Sequence, residues 1–313
     1  MFRLSVILFL FVFSFALTPK EYQSKLGIGI DVNWILFKKE RKYYSYKEVV
    51  DFKKFGFDTV RIRFNDWDVK HPEIMKKAVD DVIKAGMIPV LAYGAKKFKQ
   101  NPQKYIKHSL RVWREVSERF KNYPDILSFD LIIEPGKKLN KNINVLNEFY
   151  EKALKTIRKT NPERIVFLAP PHCSNPYYLD RIKFPKDDKF IMAEWHFYAA
   201  GPSKTNPKKI WTTGSRYEKN LILQKIKYAY NWQRKNHIYT WVGAWMPGDY
   251  NHGNHYSIQE QVKFAHFMSC ALRKYKIPFA INADSQFYDY VHKKWIEKRL
   301  PVLKSVFREC DNL

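Results

Sequence analysis

Residues 47–64, KEVVDFKKFGFDTVRIRF, contain the pattern that predicts the fold. In residues 47–54 apolar side chains recur at three- and four-residue spacing, which is typical of one face of a helix, and residues 59–64 form a short β-rich run. The same alternation of helix-like and strand-like segments continues along the chain. It indicates parallel strands that are joined by crossover helices.

Eight strands are predicted, at residues 26–32, 59–64, 88–93, 126–132, 164–169, 190–198, 239–245 and 278–284. Helix-like segments occupy residues 47–54, 72–85, 103–121, 145–159, 217–235 and 257–274. Eight alternating units fit a closed barrel better than an open sheet, which usually has fewer strands or a second lobe. No stretch rich in Pro, Gly or Ser divides the chain, so the prediction is an α/β protein with a single (β/α)8 TIM barrel over residues 17–313.

The first 16 residues resemble a secretory signal peptide. A short basic start, Met1-Phe2-Arg3, precedes an apolar run over residues 4–17, and Ser14-Phe15-Ala16 offers small residues for cleavage. The run is too short for a comfortable membrane span, and an uncleaved N-terminal anchor is the alternative. In either case we expect the rest of the chain to lie outside the cytoplasm. With the signal removed, the prediction is a secreted or periplasmic monomer without a transmembrane segment.

The formal net charge is +25, from 56 Lys and Arg against 31 Asp and Glu. Such an excess creates a positive field around the protein. The lysines are scattered through segments such as 97–107 and 225–235 rather than gathered on a recognition helix, so no nucleic-acid partner is expected. An acidic glycan or an anionic cell surface is one interpretation of the charge, and a solvated lysine-rich surface without a partner is the other.

Three cysteines permit at most one disulfide in an oxidising compartment. Cys270 with Cys310 is the favoured pair, since both fall in the last two helical segments, and free buried thiols are the alternative. No Cys and His cluster has the spacing of a zinc site, and His252 and His255 lie in a Gly/Asn-rich loop. We therefore expect no structural metal and no cofactor.

In a barrel of this kind, chemistry is placed where the strands end and the following loops begin. Polar residues predicted at these positions are Asp31, Asn33, Arg61, Arg63, Glu134, His196, Tyr198 and Asp284. Asp130 and Glu194 lie deeper on their strands. We expect these two carboxylates to pair with Arg61 or Arg63 as buried structural ions.

Three segments resemble family 5 glycoside hydrolases and follow the family's order along residues 26–300. Residues 52–62, FKKFGFDTVRI, are similar to the family's helix into strand two, which ends in an arginine at the active-site floor. Residues 129–135, FDLIIEP, are similar to the stretch that carries the family's Asn-Glu-Pro motif. His196-Phe197-Tyr198 matches the family's His-x-Tyr on strand six.

The resemblance implies cleavage of β-glycosidic bonds with retention, which requires two carboxyl groups about 5 Å apart. It assigns Glu134 as the acid/base. The apolar surroundings within residues 132–135 are expected to raise the pKa of this carboxyl and keep it protonated, and a Glu that only caps a helix is the alternative. By the same resemblance, His196 and Tyr198 bond the sugar and the nucleophile, and Arg61 stabilises the nucleophile's charge. All three are assigned as substrate-binding residues.

The sequence departs from the family pattern at four positions of the site. The nucleophile of the family's strand-seven Gly-Glu-Phe-Gly is replaced by Ala244, and the Asn expected before the acid/base is Ile133. The end of strand three, residues 91–94, lacks the usual His, and the strand-eight Trp is unmatched in residues 280–284. Four changes in one site indicate natural divergence rather than an engineered knock-out.

Two functions are consistent with these observations. The first is an exported hydrolase of a β-linked polysaccharide in which Asp284, Asp249 or Glu194 supplies the second carboxylate. Activation of a water would then give inversion at a carboxyl separation of about 6.5 to 9.5 Å. The second is an inactive barrel that binds a polysaccharide or oligosaccharide, acidic or neutral, at the cell envelope.

Tryptophans near strand ends are candidates for stacking on pyranose faces. They are Trp34, Trp67, Trp195 and Trp245, and of these Trp245 is assigned to the substrate site. Packing in the core is the alternative for all four.

Overall fold

The computed structural model describes residues 16–197, 210–250, 255–282 and 284–310. These form a closed barrel of eight parallel strands, each paired with the next and the eighth with the first. The strands are β1 (Ile28–Val32), β2 (Thr59–Phe64), β3 (Ile88–Tyr93), β4 (Ser128–Asp130), β5 (Val166–Leu168), β6 (Ile191–His196), β7 (Thr240–Trp245) and β8 (Phe279–Ile281). The predicted single (β/α)8 barrel is confirmed.

The helices surround the barrel and fill the connections. They are α1 (Pro19–Leu26), α2 (Lys38–Tyr43), α3 (Tyr46–Phe55), α4 (Asp66–Lys70), α5 (Pro72–Lys84), α6 (Lys96–Gln100), α7 (Pro102–Arg119), α8 (Ile143–Ile157), α9 (Pro171–Ser174), α10 (Arg216–Asn236), α11 (Ile258–Lys274) and α12 (Leu300–Phe307). Short 3-10 turns span Lys137–Lys141, Pro176–Arg181, Asp284–Gln286 and Glu297–Arg299, and β9 (Tyr288–Asp289) pairs antiparallel with β10 (Lys294–Trp295). The six predicted helices correspond to α3, α5, α7, α8, α10 and α11.

The predicted strand limits match β2 and β3 and are too long elsewhere. β4, β5 and β8 contain three paired residues each. Residues past the β4 ladder stay buried, and the amide of Ile133 still donates to the Tyr93 carbonyl at 2.9 Å. An apolar run therefore marks burial at the barrel wall rather than the length of the regular hydrogen-bonded ladder.

α1 closes the end of the barrel at which the strands begin. A capping box formed by Thr18 and Glu21 starts the helix. Tyr22 then packs into a buried cluster with side chains of the strands, among them Phe167 and Trp241. With this end closed, the opposite end, where the strands finish, forms the mouth of the barrel.

The predicted signal segment, residues 1–16, lies outside the described residues apart from Ala16. In the four described ranges, no helix is both long and apolar enough to span a membrane. The assignment of this segment as a signal peptide or an anchor stays a prediction.

A disulfide joins Cys270 in α11 to Cys310 beyond α12, which confirms the favoured pairing. The two cysteines are 40 residues apart in sequence, and the loop between them contains β8 and α12. The bridge therefore holds α12 against α11. Cys173 is a free, exposed thiol.

Removal of this disulfide should lower the free energy of unfolding by about 4 kcal/mol, because opening a loop of this length returns conformational entropy to the unfolded chain. Urea unfolding of the Cys270→Ser/Cys310→Ser variant against the oxidised protein measures the difference. Cys173→Ser is the matched control and should stay within about 0.5 kcal/mol of the parent. Equal stability of the double variant and the parent would contradict the prediction.

Candidate active site

The floor of the mouth is a buried charge cluster centred on Arg61. Its Nε donates to Asp130 Oδ2 at 3.0 Å, its Nη2 donates to Glu194 Oε1 at 3.1 Å, and Nη1 lies 3.5 Å from Asp31 Oδ2. All four side chains are fully buried. Burial disfavours the guanidinium charge, but the three carboxylates outweigh it and raise the pKa of Arg61. The prediction that Asp130 and Glu194 pair with an arginine of β2 is confirmed.

The prediction that Arg61 contacts the substrate needs correction. Its guanidinium is enclosed by carboxylates below the mouth, so it can act on a ligand only through them. Arg63, two residues further along β2, is the arginine that reaches the mouth. It is partly exposed and donates from Nε to Asp31 Oδ1 at 2.9 Å.

Glu194 fits into the floor because residue 243 is a glycine. A Cβ at Gly243 would lie 1.9 Å from Glu194 Oε1, well inside contact distance. The carboxylate of Glu194 therefore occupies the space that a β7 side chain would take. Gly243 and Glu194 form a matched pair across β6 and β7.

Gly243→Ala should destabilise the protein by about 3–5 kcal/mol, since the methyl group displaces the buried Glu194 carboxylate from its ion pairs with Arg61 and His196. Chemical denaturation of the variant and the parent measures the loss. Gly94→Ala is the control, because a Cβ there would meet only the Phe64 carbonyl, at an ordinary 3.4 Å. If both variants unfold alike, the proposed steric link between Gly243 and Glu194 is wrong.

His196 connects the buried cluster to the mouth. It ends β6 and places Nδ1 3.0 Å from Glu134 Oε1, while Nε2 contacts Glu194. Burial disfavours the imidazolium, but the two carboxylates outweigh burial and raise the pKa of His196 to about 9. At neutral pH the ring is therefore a cation that donates a hydrogen bond to a carboxylate on each side.

Glu134 presents its carboxylate to the mouth. It follows β4 with a left-handed backbone, φ 51°, and its side chain is 34% exposed. Burial alone would raise its pKa, but the hydrogen bond and charge of His196, together with the charges of Arg63 and Lys99, lower the pKa of Glu134 to about 2. The prediction that apolar neighbours keep this carboxyl protonated is wrong, because three cations outweigh them.

The Glu134–His196 pair should stabilise the protein over a defined pH range. The contribution of Glu134 is present above the ordinary pKa of a glutamate and is lost as pH falls towards about 2. That of His196 is present below the ordinary pKa of a histidine and is lost as pH rises through about 9.

NMR titration of the histidine ring signals should accordingly show His196 losing its proton near pH 9. Glu134→Gln should move this pKa downwards, since one of the two carboxylates that favour the imidazolium is gone. The exposed His292, bonded to Asp289, is the internal control, and Glu134→Gln should leave its ring signals unchanged. A parent His196 that titrates near the ordinary value of about 6.5 would rule out the doubly paired cation.

Two groups beside Glu134 were missed by the sequence analysis. Lys99 in α6 is half-buried, and its Nζ donates to the Ile133 carbonyl at 2.9 Å. Burial lowers the pKa of Lys99, and the charges of Glu134 and Cys173 act in the opposite direction. Burial and the charge of Glu134 raise the pKa of the Cys173 thiol. These mutual effects place the three side chains close together. No motif marks either residue. The available signal was that α6 and α9 follow β3 and β5, whose ends face the mouth.

The structure presents none of the three predicted substitutes for the nucleophile openly beside Glu134. Ala244 is fully buried at the end of β7, and Glu194 lies beneath His196. Asp249, in the loop after β7, is 1% exposed. Asp284, after β8, is 2% exposed and accepts a hydrogen bond from the Tyr290 hydroxyl, and burial raises its pKa to about 6.

The structure places Trp245 in the core. Its ring is fully buried and packs against two phenylalanines, which corrects its assignment to the substrate site. Trp34 and Trp195 are also buried, whereas Trp67 is 40% exposed. Tyr198, assigned to the site by resemblance, lies outside the described residues.

The chemistry available in the mouth is that of hydrogen bonding and charge. In the parts of the chain that the structure describes, no group of three or more His, Cys, Asp or Glu side chains could hold a metal ion. Glu134 can accept hydrogen bonds from hydroxyl groups, and Lys99 and Arg63 can donate them. Retaining glycoside hydrolysis additionally requires a second carboxyl group about 5 Å from the first, and position 244 does not supply one.

The sequence is similar to proteins that act on glucans. The family model for Cellulase (glycosyl hydrolase family 5) matches residues 30–283. Endoglucanase H of Acetivibrio thermocellus is 26% identical over 248 residues, which are 73% of this chain and 27% of that protein. Endoglucanase A of Clostridium longisporum is 26% identical over 187 residues, 53% of this chain and 34% of that protein. The chain thus spans only about a third or less of the length of these curated relatives.

Solved structures with the same barrel include an endoglucanase and a subunit of a cellulose synthase. Endoglucanase Cel5A of Thermotoga maritima matches with a TM-score of 0.78 at 19% identity, covering 93% of this chain and 100% of that chain. The cellulose synthase subunit Z (CcsZ) of Clostridioides difficile matches with a TM-score of 0.77 at 22% identity, covering 91% and 100%. At these identities the likeness establishes the fold.

Proposed function

Since the chain belongs to the cellulase family, glycosyl hydrolase family 5, we propose that it is an exported barrel which binds a β-linked glycan across its mouth and does not cleave it by the family's retaining mechanism. What supports this proposal is Ala244 at the position that the family resemblance assigns to the nucleophile, combined with the contact of His196 with Glu134, which lowers the pKa of that carboxyl. Export is inferred from the apolar run over residues 4–17.

A retaining hydrolase needs a nucleophile that can approach the anomeric carbon to roughly 3–3.5 Å. Glu194 does not meet this requirement. Its carboxylate has no exposed surface, lies beneath His196, and is bonded to Arg61. To attack a sugar it would have to break its buried ion pairs with Arg61 and His196, which would be strongly destabilising.

The missing nucleophile also explains why Glu134 is a poor general acid. A second carboxylate close by disfavours ionisation and raises the pKa of one member of the pair. Here Ala244 supplies no such charge, while His196, Arg63 and Lys99 all favour the anion. A single replacement therefore removes the nucleophile and deprives the acid of its proton at neutral pH.

The charged groups around Glu134 can also form hydrogen bonds with a glycan. Ionised Glu134 accepts hydrogen bonds from sugar hydroxyls, and the partly exposed Arg63 and Lys99 donate them. The relatives named endoglucanase point to a β-linked glucan chain as the ligand. None of these contacts requires a second carboxylate.

One observation favours hydrolysis with inversion as a second candidate function. Asp284 has a pKa of about 6 and Glu134 a pKa of about 2, and such a separation is how a proton donor and a base are recognised in one site. The two residues follow β8 and β4, which are opposite strands of the barrel. In this candidate Asp284 protonates the leaving group and Glu134 activates a water.

The test is release of reducing ends from neutral and acidic β-glycans by the parent, Ala244→Glu and Asp284→Asn, with binding of cello-oligosaccharides measured in parallel. We expect binding without cleavage by the parent, and a measurable gain only in Ala244→Glu, because the new carboxylate both supplies a nucleophile and raises the pKa of Glu134.

Cleavage by the parent would overturn the proposal of an inactive barrel. If that cleavage is lost in Asp284→Asn, inversion through Asp284 takes its place. Ser285→Ala, at the neighbouring position, is the control for disturbance of the loop. Absence of binding to every glycan in the panel would reject both candidates.

A further inference from the structure

Two loop segments at the mouth carry six lysines and no acidic residue. They are α6, with the sequence KKFKQ, and the 3-10 turn Lys137–Lys141, with the sequence KKLNK. The segments come after the adjacent strands β3 and β4, and they contact each other. We call their lysines the lysine rim: Lys96, Lys97, Lys99, Lys137, Lys138 and Lys141.

The lysine rim has little compensating negative charge. Lys97 Nζ lies 3.2 Å from Asp66 Oδ2. Among the described residues, the other rim lysines have no carboxylate oxygen within 4.0 Å. The rim therefore projects a net positive field over the mouth.

Lys99 differs from the solvated lysines of the rim. It is half-buried, and burial lowers its pKa even though Glu134 acts in the opposite direction. Its ammonium group has three protons, and the Ile133 carbonyl takes one of them. Lys99 thus keeps donors for a ligand at a position already partly removed from water, where a charge-assisted hydrogen bond is stronger than at an open surface.

The other charges around Glu134 already have partners. His196 lies between Glu134 and Glu194, and Arg63 is bonded to Asp31. Lys99 is the remaining cation in this group. The carboxylate of Glu134 acts on it from beyond ion-pair distance, and among the described residues no anion in direct contact balances its charge. An anion beside Lys99 would do so, whereas a sugar hydroxyl would not.

We propose that the glycan bound in the mouth carries carboxylate groups, with Lys99 binding one carboxylate directly and the rest of the lysine rim attracting the chain. The ligand class is a β-linked glycan that contains uronic acid units. This inference rests on the proposed function and adds the chemistry of the substrate to it. It also gives part of the large positive charge of the chain a specific role.

The test compares two ligands of the same length and linkage by isothermal titration calorimetry: cellotetraose and the β-1,4-linked tetramer of glucuronic acid. We expect the acidic tetramer to bind at least about tenfold more tightly in low salt, which corresponds to one partly buried charge-assisted hydrogen bond. The preference should shrink as salt is added, because the rim is exposed.

Lys99→Gln should lower the affinity for the acidic tetramer much more than the affinity for cellotetraose, because Gln keeps a hydrogen-bond donor and loses the charge. An unchanged midpoint of urea unfolding reports that the variant is folded. Lys137→Gln/Lys138→Gln should weaken binding of the acidic tetramer only about threefold, as expected for exposed charges. The matched control is Lys53→Gln/Lys54→Gln, which removes two exposed lysines at the end of α3, before β2 begins. This control should change neither ligand's affinity.

Each outcome separates the inference from the function on which it rests. Equal affinities of the parent for the two tetramers would overturn the inference and leave glycan binding intact. Binding of neither tetramer would reject the proposed function itself. Equally tight, Lys99-dependent binding of polyglutamate would show a surface for any polyanion and would also overturn the inference.

Discussion

The ion pair between Arg61 and Glu194 determines the orientation and the ionisation of the carboxylate at the mouth of this barrel. Arg61 is a fixed positive charge in the interior, and a buried charge of this kind must be compensated. Its partners come from β1, β4 and β6. Glu194, which is paired with Arg61, contacts His196 Nε2 from below, and His196 Nδ1 is hydrogen-bonded to Glu134 at the mouth. The orientation and the charge of the exposed Glu134 carboxylate therefore depend on Arg61, which is fully buried below the mouth.

This chain of contacts compensates the charge of Arg61 without a carboxylate at position 244. By resemblance, the β2 arginine serves a carboxylate at the end of β7. Here the negative charge next to Arg61 is supplied by Glu194 of β6, and Gly243 leaves room for it. Arg61 is paired, but the Glu194 carboxylate that pairs with it is buried beneath His196 and does not reach the mouth.

Much of the fold could be predicted from the sequence, because it depends on patterns that repeat. The runs that became β2 and β3 have sharp apolar limits, and the predicted helices each bury one apolar face. The ends of β4, β5 and β8 could not be predicted, since a buried run continues past the last ladder hydrogen bond. The pairing of Asp130 and Glu194 with Arg61 was also predictable, because charges at inward-facing positions have few other partners.

The burial and the protonation states of the site residues were harder to predict. Arg61 and Arg63 are both polar residues on one strand, and only their depth decides that Arg63 reaches the mouth. The pKa of Glu134 depends on His196 and Lys99, which are distant in sequence, while its immediate neighbours are apolar and suggested the opposite shift. Lys99 lies in a loop helix with no motif, and Trp245 looked like a platform because sequence cannot show which side of a strand end faces the core.

A catalytic carboxyl pair is costly to a fold, since two like charges are held close together and one must remain protonated. In this barrel most of that repulsion is offset by cations, although burial and the nearby Glu194 raise the pKa of Asp130 to about 6. The carboxylates of the floor and the mouth, Asp31, Asp130, Glu194 and Glu134, are matched by cations that include Arg61, Arg63 and His196. Relief of repulsion stabilises proteins at the expense of activity. Under the proposed function, binding a glycan needs only that the mouth stays rigid and charged, and pairing each carboxylate with a cation favours that requirement over catalysis.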